Sequence, residues 1–459
     1  MKHLRLPVVL AAGALALTAC AGVGEKDAGG GSGGSGDQGT AASTPSGTLK
    51  VMGFSGEDEV AQSRITAFKT AFPGVTVQNN KGDFDAQQFL TAVSSGNPPD
   101  VVYMARNLVG TYAAKGAIQP LDDCVKNAGI DTTQYREAAL SEVRLKDKTY
   151  GIPEFYTVST NLISETALKS AGVPVSDIQT TDWDKLEETA KKLYTAKNGR
   201  PARIGYDPKM PDFFPLWAMA NGAELVKPGG EPNLNDPKAV EALQFTIKLI
   251  NDQGGWSNFK TFRDTFDLFG AKNQFTKDQL AAFPIENWYV NVLLDSRANG
   301  LKLQSTPFTD RQGQPISTIG GSAWVVPKGA KNANAACQWA KTLTSAETWH
   351  KAAEARMQTV AKNKSFFTGL FTGNKKADDE IKAQYLKPSG DAGFDAAIKN
   401  YYDVLDKAKS LNPSPAGAEI DAAWKSAVAK ALGGSVTPQA ALDQAQSEAK
   451  AAFEKAGQG

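Results

Sequence analysis

The chain has 459 residues, of which 41% are hydrophobic and 22% are charged, as is ordinary for a soluble globular protein. Its 50 Lys and Arg residues nearly balance 49 Asp and Glu residues, and no basic tract occurs, so we expect no nucleic-acid partner. With two His and three Cys residues and no CxxC motif, the sequence supports no metal or cofactor, and its length favours two lobes over one domain.

The first 19 residues predict a secretory signal peptide. After a cationic start, residues 6–17 form an apolar segment that is too short to span a bilayer as a permanent helix. The segment is followed by the sequence LTAC, which ends at Cys20 and resembles the lipobox of bacterial lipoproteins. In those proteins a peptidase cleaves before the cysteine, and a diacylglycerol is attached to the cysteine. Two acyl chains suffice for stable anchoring. We expect an exported protein that Cys20 anchors to the outer face of the cell membrane; the alternative is an ordinary secreted protein.

A linker and then alternating strands and helices follow. Residues 20–47 are mostly Gly, Ser, Ala and Thr without apolar periodicity, which predicts a flexible linker. The pattern then predicts strands at 48–54, 75–78 and within 97–105, and helices at 59–72 and 84–94. Such βαβ repetition is typical of a parallel sheet covered by helices, and therefore of an α/β fold.

Ligands of parallel α/β sheets bind beyond the carboxyl ends of the strands. The candidate contacts at the predicted strand ends are Phe54, Ser55, Glu57, Asp83, Arg106 and Asn107. Farther along, residues 148–164 predict strands and residues 181–194 predict a capped amphipathic helix. A strand pattern at 316–330 is broken by Gly320 and Gly321, which indicates a close approach of backbones, and the last third of the chain is helical.

Cysteine and histidine give little support for catalysis. Cys124 and Cys337 form an even pair in an oxidising compartment, which is compatible with a disulfide or with two buried thiols. His3 lies in the signal peptide, so Ser-His or Cys-His catalysis would depend on His350. His350 lies in SAETWHKAAEA, a pattern typical of an amphipathic helix, which favours a structural or surface role.

Five stretches together, in chain order, resemble extracellular solute-binding proteins of ABC importers, within the sugar-binding family that includes maltose-binding protein. These stretches are SSGNPPDVVYMA, KTYGIPEFYTVSTNLIS, TTDWDKLEETAKKL, GGSAWVVPKGAKNANAACQWAKTLTS and VTPQAALDQAQSEA. The resemblance implies a two-lobed α/β fold with a ligand cleft and several hinge crossovers. By position it implies one lobe at 48–157 and 324–368 and the other at 158–318 and 369–459.

A sugar site combines aromatic rings for CH faces with polar groups for hydroxyls. By position in the family, the resemblance implies ligand contacts at Arg106, Asn107, Glu154 and Trp288. Further candidates, by their neighbourhood or loop position, are Tyr156, Trp217, Glu286, Asn287, Gly320, Gly321, Ser322 and Arg356, with Phe214 and Asp421 as weaker ones. Each has a structural alternative: Trp288 and Trp217 as core aromatics, Glu154 as a solvated charge, and Arg106 in an ion pair.

The resemblance implies a receptor rather than an enzyme: a monomer that captures a sugar, such as an oligosaccharide, and delivers it to ABC permease subunits. One alternative keeps the fold and changes the solute to a glycerol-phosphate diester, a polyamine, a peptide or a chelated metal. Another is a lipid-anchored glycoside hydrolase, which would need only a pair of carboxylates. A third is an adhesin or sensor subunit that does not take part in transport.

Overall fold

The structure is a computed structural model that describes residues 44–457. The predicted signal peptide, Cys20 and most of the predicted linker lie outside the described residues. Within 44–457, none of the helices combines the length and the apolar character that crossing a membrane requires.

The strands form two five-stranded sheets and one small ribbon. In chain order they are β1 (Gly47–Met52), β2 (Val75–Asn80), β3 (Val101–Ala105), β4 (Arg144–Leu145), β5 (Lys148–Thr149), β6 (Ile152–Pro153), β7 (Ser159–Ser164), β8 (Thr195–Lys197), β9 (Arg200–Tyr206), β10 (Leu280–Glu286), β11 (Leu303–Thr306) and β12 (Ser322–Val325). The first sheet has the order β2-β1-β3-β12-β6, the second has the order β11-β7-β10-β9-β8, and β4 pairs with β5. Each large sheet is the centre of one lobe.

Helices cover both sheets. They are α1 (Glu59–Ala71), α2 (Ala86–Ser94), α3 (Arg106–Ala114), α4 (Asp122–Ala128), α5 (Glu137–Glu142), α6 (Glu165–Ala171), α7 (Trp183–Leu193), α8 (Phe214–Ala220), α9 (Pro237–Asn251), α10 (Gly255–Arg263), α11 (Trp288–Val292), α12 (Ala333–Thr344), α13 (Ala346–Lys362), α14 (Lys375–Tyr385), α15 (Ala392–Val404), α16 (Gly417–Leu432) and α17 (Pro438–Gly457). Short 3₁₀ helices occupy Thr132–Gln134, Val175–Asp177 and Leu293–Asn299.

The first lobe begins as the sequence predicts. β1 pairs in parallel with β2 and β3, and Asp58 caps α1 by accepting a hydrogen bond from the backbone N–H of Ala61. The late strand β12 then runs antiparallel between β3 and β6, which the local pattern did not predict. Trp324 of β12 and Trp339 of α12 are fully buried in this core. A disulfide joins Cys124 of α4 to Cys337 of α12, with 5.7 Å between the Cα atoms.

The second lobe contains a mixed sheet. β7 runs antiparallel to β10 and β11, whereas β10 pairs in parallel with β9. All six residues of β7 are buried, because helices cover both faces of this sheet. The predicted helix at 181–194 is confirmed as α7, and Asp182 caps it by accepting a hydrogen bond from the N–H of Lys185.

Three segments cross between the sheets. Residues 154–158 connect β6 to β7, residues 307–321 connect β11 to β12, and the chain returns to the second lobe after α13. Phe155 bridges to Thr372, and Thr157 bridges to Gly320, so the crossings lie side by side. α14 packs against α13, whereas α15 packs against β7 and β11. The exact lobe boundaries at 157, 318, 324 and 368 stay a prediction.

Candidate functional site

Arg106, a predicted ligand contact, is buried between the crossings. Its Nε lies 2.7 Å from Glu142 Oε2, and its two terminal nitrogens donate to the carbonyl oxygens of Phe155 and Gly320. Burial raises the pKa of Glu142, while the guanidinium of Arg106 opposes that shift. Each of the three side-chain nitrogens of Arg106 therefore has a protein partner, and the residue joins two crossings to α5, as its ion-pair alternative expects.

Glu154 is likewise a core residue rather than the predicted contact. Its Oε1 lies 2.7 Å from Nη1 of Arg64, and both side chains are fully buried. The guanidinium carbon of Arg64 also lies 4.0 Å from the ring centroid of Trp349. Burial raises the pKa of Glu154 against the effect of Arg64. The pair joins the first crossing to α1 and α13.

A cavity of about 340 Å³, here called the cleft cavity, lies between the lobes. From the first lobe, α3 contributes Asn107 and Gly110, and α5 contributes Glu142. From the second lobe, Asp212 lies just before α8, and Asp421 and Trp424 lie on α16. Residues 318–321 and 409–414 complete its wall. The cavity therefore has the position that a ligand bridging two lobes would occupy.

Close backbone contact brings α3 and α16 together beside this cavity. A Cβ atom at Gly110 would lie only 2.5 Å from the carbonyl oxygen of Ser414. The hydroxyl of Thr111 accepts a hydrogen bond from the N–H of Ala418 at 2.9 Å. Near the surface, Lys115 Nζ lies 2.9 Å from Glu419 Oε1. These contacts join the first lobe to the amino-terminal end of α16.

Several polar groups in the cleft cavity have no protein partner. Within residues 44–457, the side chains of Asn107, Asp212 and Lys409 make no ion pair and no hydrogen bond. The side chain of Trp424 is only 3% exposed, and its indole Nε1 has no hydrogen-bond acceptor in the part of the chain that the structure describes. Because Trp424 lines the cavity, this unpaired N–H is a candidate donor to a ligand there.

A second crevice of about 280 Å³, here called the Trp288 cavity, also lies between the lobes. Trp288, Asn291 and Asn287 line it from α11 and the residue before that helix, and Arg356 of α13 and Asp58 lie opposite. Arg356 forms an ion pair with Glu59 and donates to Asn291 Oδ1 at 3.4 Å. The crevice therefore combines one exposed indole with a charged rim.

The structure separates the predicted site residues into four groups. Asn107, Gly320, Gly321 and Asp421 line the cleft cavity, and Tyr156, Asn287, Trp288 and Arg356 line the Trp288 cavity. Ser55, Glu57 and Asp83 are exposed and line neither, with Glu57 paired to Lys81 at 3.2 Å. The remaining predicted residues lie in the core or in a strand: Phe54, Arg106, Glu154, Phe214, Trp217, Glu286 and Ser322.

Several side chains in these groups have fixed structural partners. The indole of Trp217, fully buried in the second lobe, donates to the carbonyl oxygen of Pro208 at 2.9 Å, so Trp217 is a core residue as its structural alternative required. Tyr156 is 1% exposed, and Asn287 donates to the Tyr156 carbonyl oxygen at 3.2 Å. Phe54 packs between Tyr103 and Trp324. Trp217 and Phe54 are therefore core residues, which corrects their predicted roles, whereas Tyr156 and Asn287 line the Trp288 cavity from buried positions.

The remaining predicted residues lie at strand ends and crossings. Glu286 ends β10 half-buried, and burial raises its pKa while nearby Lys209 opposes that shift. Ser322 begins β12, and its carbonyl oxygen accepts from the N–H of Glu154 at 2.9 Å. A side chain at Gly321 would collide with the carbonyl oxygen of Phe155, so the close backbone approach predicted there is present.

Sequence reasoning missed two aromatic residues. Trp424 lies in an amphipathic helix, where nothing local separates a cavity wall from an ordinary core position. Phe269 lies in the loop between α10 and β10, 71% exposed and stacked on Trp288. An isolated Phe in a stretch without periodicity was the only signal available for it.

The sequence of this chain is similar to that of a known protein family and of known proteins. A model of the family of bacterial extracellular solute-binding proteins matches residues 63–384. A maltooligosaccharide ABC transporter solute-binding lipoprotein of Streptococcus pneumoniae is 23% identical over 339 residues, which cover 72% of this chain and 70% of that protein.

Solved structures share the fold. The mannotriose-bound protein CpMnBP1 is 23% identical with a TM-score of 0.71, over 88% of this chain and 99% of that one. The maltose/maltodextrin-binding domain MalE of Bdellovibrio bacteriovorus, bound to maltotriose, is 20% identical with a TM-score of 0.67, over 89% of this chain and 100% of that one. The predicted two-lobed α/β fold of a periplasmic binding protein is therefore confirmed.

Proposed function

The chain belongs to the family of bacterial extracellular solute-binding proteins, and on that premise we propose that it captures an oligosaccharide and delivers it to an ABC permease. The protein acts as a monomer outside the cell. The lipid on Cys20 keeps it at the membrane, near the permease.

The observation that carries this proposal is the set of unpartnered polar groups in the cleft cavity. Asn107 comes from the first lobe, whereas Asp212 and the Trp424 indole come from the second. A carboxylate, an amide and an indole N–H together both accept from and donate to sugar hydroxyls. The sugar-bound relatives named above support the same solute class.

Closure of the lobes follows from ligand contacts on both sides of the cavity. A ligand favours one conformation only by binding it more tightly than the other. A sugar that bonds both Asn107 and Asp212 gains both contacts only when the two lobes are close together, and here both residues line one cavity. The permease then has a closed, loaded form to recognise.

The carboxylates of the cleft cavity favour binding over hydrolysis. A glycoside hydrolase needs two carboxyl groups that act on one bond. Glu142 is paired with Arg106, and Asp421 Oδ2 lies 2.6 Å from Lys425 Nζ. Asp212 is the only one of the three without a partner in the described part of the chain. We therefore propose that the protein is not an enzyme.

Calorimetric titration of the purified protein tests capture. The probes are maltooligosaccharides and mannooligosaccharides, with spermidine and glycerophosphoglycerol as non-sugar solutes. Asp212→Ala and Asn107→Ala are expected to lower sugar affinity about 5- to 10-fold each, since each removes one hydrogen bond of about 1 kcal/mol. Asp184→Ala, an exposed Asp on α7, is the matched control and leaves affinity unchanged.

The same titrations can contradict the proposal. If heat of binding is measured only with spermidine or with glycerophosphoglycerol, the solute is a polyamine or a phosphodiester rather than a sugar. Shorter products after incubation with an oligosaccharide, detected by chromatography, would favour the hydrolase. Uptake of labelled sugar by cells with and without the chain tests delivery to the permease.

A further inference from the structure

The first sheet has an edge that lies opposite the cleft cavity. β1, β2 and β3 run in parallel from this edge, and the cavity lies beyond the other end of β3, where α3 begins. The N–H of Gly47, the first residue of β1, donates to the carbonyl oxygen of Gly74 at 2.9 Å. Asn332 Nδ2 donates to the carbonyl oxygen of Ser46 at 2.8 Å. Cys20 precedes these residues in the chain, so its proposed lipid is attached through this edge of the first lobe.

Three turns meet at this edge. Residues 69–74 lead from the last turn of α1 to β2, and residues 96–100 lead to β3. Because β12 is antiparallel to β3, it ends at the same edge, and residues 327–332 connect it to α12. A Cβ atom at Gly329 would lie 3.9 Å from Pro98, so the second and third turns adjoin. The turns therefore form one surface around the point where the chain enters the sheet.

The exposed charges of these turns are positive. Lys69, Lys328 and Lys331 are exposed, and within residues 44–457 none of them forms an ion pair. The one carboxylate in the sequence of the three turns belongs to Asp100, which is 3% exposed. It accepts hydrogen bonds from two backbone N–H groups at 2.8 Å each. We call residues 69–74, 96–100 and 327–332 together the basic edge.

Helices of the second lobe carry their lysines differently. Lys192 lies 2.7 Å from Glu188, and Lys425 lies 2.6 Å from Asp421, one helical turn away in each pair. Such pairs cancel the charge of the lysine at the surface. The lysines of the basic edge have no carboxylate of this kind, so their charge is available to an anionic partner.

We propose that the basic edge docks on anionic phospholipid headgroups of the membrane that holds the protein. The inference rests on the proposed function, in which the lipid on Cys20 keeps this edge close to a bilayer. Each Lys near an anionic bilayer surface strengthens binding about fivefold. Docking places the bilayer at the edge of the first sheet opposite the cleft cavity, so a solute reaches the cavity without passing the lipid.

Sedimentation with lipid vesicles tests the docking. We would use the mature chain with Cys20→Ser, which has no lipid of its own, so that only headgroup binding is measured. The probes are vesicles of phosphatidylglycerol and of phosphatidylcholine, at about 20 mM and about 300 mM salt. The chain is expected to sediment with phosphatidylglycerol at low salt, and not with phosphatidylcholine or at high salt.

Two variants with the same net charge separate the basic edge from general attraction. The test variant changes the lysines of the edge: Lys69→Glu, Lys328→Glu and Lys331→Glu. The control variant changes three exposed lysines of the second lobe that form no ion pair within the described residues: Lys197→Glu, Lys227→Glu and Lys277→Glu. The test variant is expected to lose more than tenfold in affinity for phosphatidylglycerol vesicles, and the control variant about twofold or less.

A milder variant guards against misfolding of the test variant. Lys331→Ala alone is expected to lower vesicle affinity about fivefold and to leave sugar affinity unchanged.

Four outcomes would overturn the docking. If both triple variants lose vesicle affinity equally, net charge rather than the basic edge attracts the lipid. If the chain binds both lipids equally, or binds neither, the docking is wrong and the proposed capture of sugar stands. If mass spectrometry of the protein from cells finds no lipid on Cys20, the proposed anchoring fails, and the docking fails with it.

Discussion

The crossings between the lobes and the cleft cavity are both rich in polar side chains, but they use them in opposite ways. At the crossings, Arg64, Arg106 and Arg136 are buried, and each lies 2.7–2.9 Å from a carboxylate oxygen. In the cleft cavity, Asn107 and Asp212 have no protein partner within the described residues. The charged pairs at the crossings hold backbone segments in place, whereas these polar groups of the neighbouring cavity form no such pairs within the described residues.

The largest effect should come from breaking a buried pair at a crossing. Arg106→Met leaves Glu142 buried without a cation, so the free energy of unfolding should fall by about 3–5 kcal/mol. Arg144→Met removes an exposed pair with Glu137 and should cost about 1 kcal/mol or less. Urea denaturation measures both. Equal losses would mean that the buried ion pair at the crossing stabilises the protein no more than the exposed ion pair does.

A smaller effect should appear in the pH dependence of stability. Burial raises the pKa of Asp378 from 3.8 to about 6, although Arg136 Nη2 lies 2.9 Å from its carboxylate. Because the folded state then binds the proton more tightly than the unfolded state, the free energy of unfolding should fall as pH rises from about 4 to about 6. The fall should be on the order of 1–3 kcal/mol and should level off above that range.

Asp378→Asn should remove this pH dependence, and Asp379→Asn is the matched control. Asp379 is the exposed neighbour paired with Lys375, so its substitution should leave the slope unchanged. Chemical denaturation between pH 4 and pH 7 gives the three slopes. A wild-type stability that falls no more steeply with pH than that of Asp378→Asn would contradict the expected sign for Asp378.

Two of the buried tryptophans of the second lobe, Trp217 and Trp424, sharpen the comparison. Trp424→Phe removes an indole N–H that has no protein acceptor, so sugar affinity should fall by about 1 kcal/mol with little change in stability. Trp217→Phe removes an N–H that is bonded to the Pro208 carbonyl oxygen, so stability should fall by about 1–3 kcal/mol with affinity unchanged. Titration and denaturation of both variants test these assignments. A loss of stability in Trp424→Phe or a loss of affinity in Trp217→Phe would contradict them.

The smallest effect should come from the exposed contact between α3 and α16. Lys115→Ala removes the ion pair with Glu419, where both side chains are more than one-third exposed. Affinity for the sugar should fall by at most about fivefold, and the difference should disappear at high salt. Lys192→Ala, which removes a pair within α7, should not change affinity. A salt-independent loss would mean that Lys115 contacts the ligand itself.

Local signals predicted the first lobe well. β1, α1, β2, α2 and β3 appear within a few residues of their predicted bounds, because each has its own periodicity and ends at turn or capping residues. The antiparallel neighbour β12 could not be placed, since it meets β3 from more than 200 residues away. Pairing at such a distance depends on the whole core rather than on a local pattern.

The site was only partly predictable for a related reason. Asn107, Trp288 and Arg356 do line crevices between the lobes. Glu154 follows a strand just as a ligand contact would, and the sequence cannot tell that Arg64, on a helix 90 residues earlier, neutralises it in the core. A charge beside a strand end looks the same whether its partner is a solute or another side chain.

The disulfide between Cys124 and Cys337 makes the covalent structure circular. The 213-residue arc between these cysteines contains the whole second sheet and the first two crossings. A single proteolytic cut anywhere in that arc opens the ring but releases no fragment, because the two pieces remain tied through sulfur. A protein exposed to secreted proteases thus tolerates one nick within this arc before any part of it is lost.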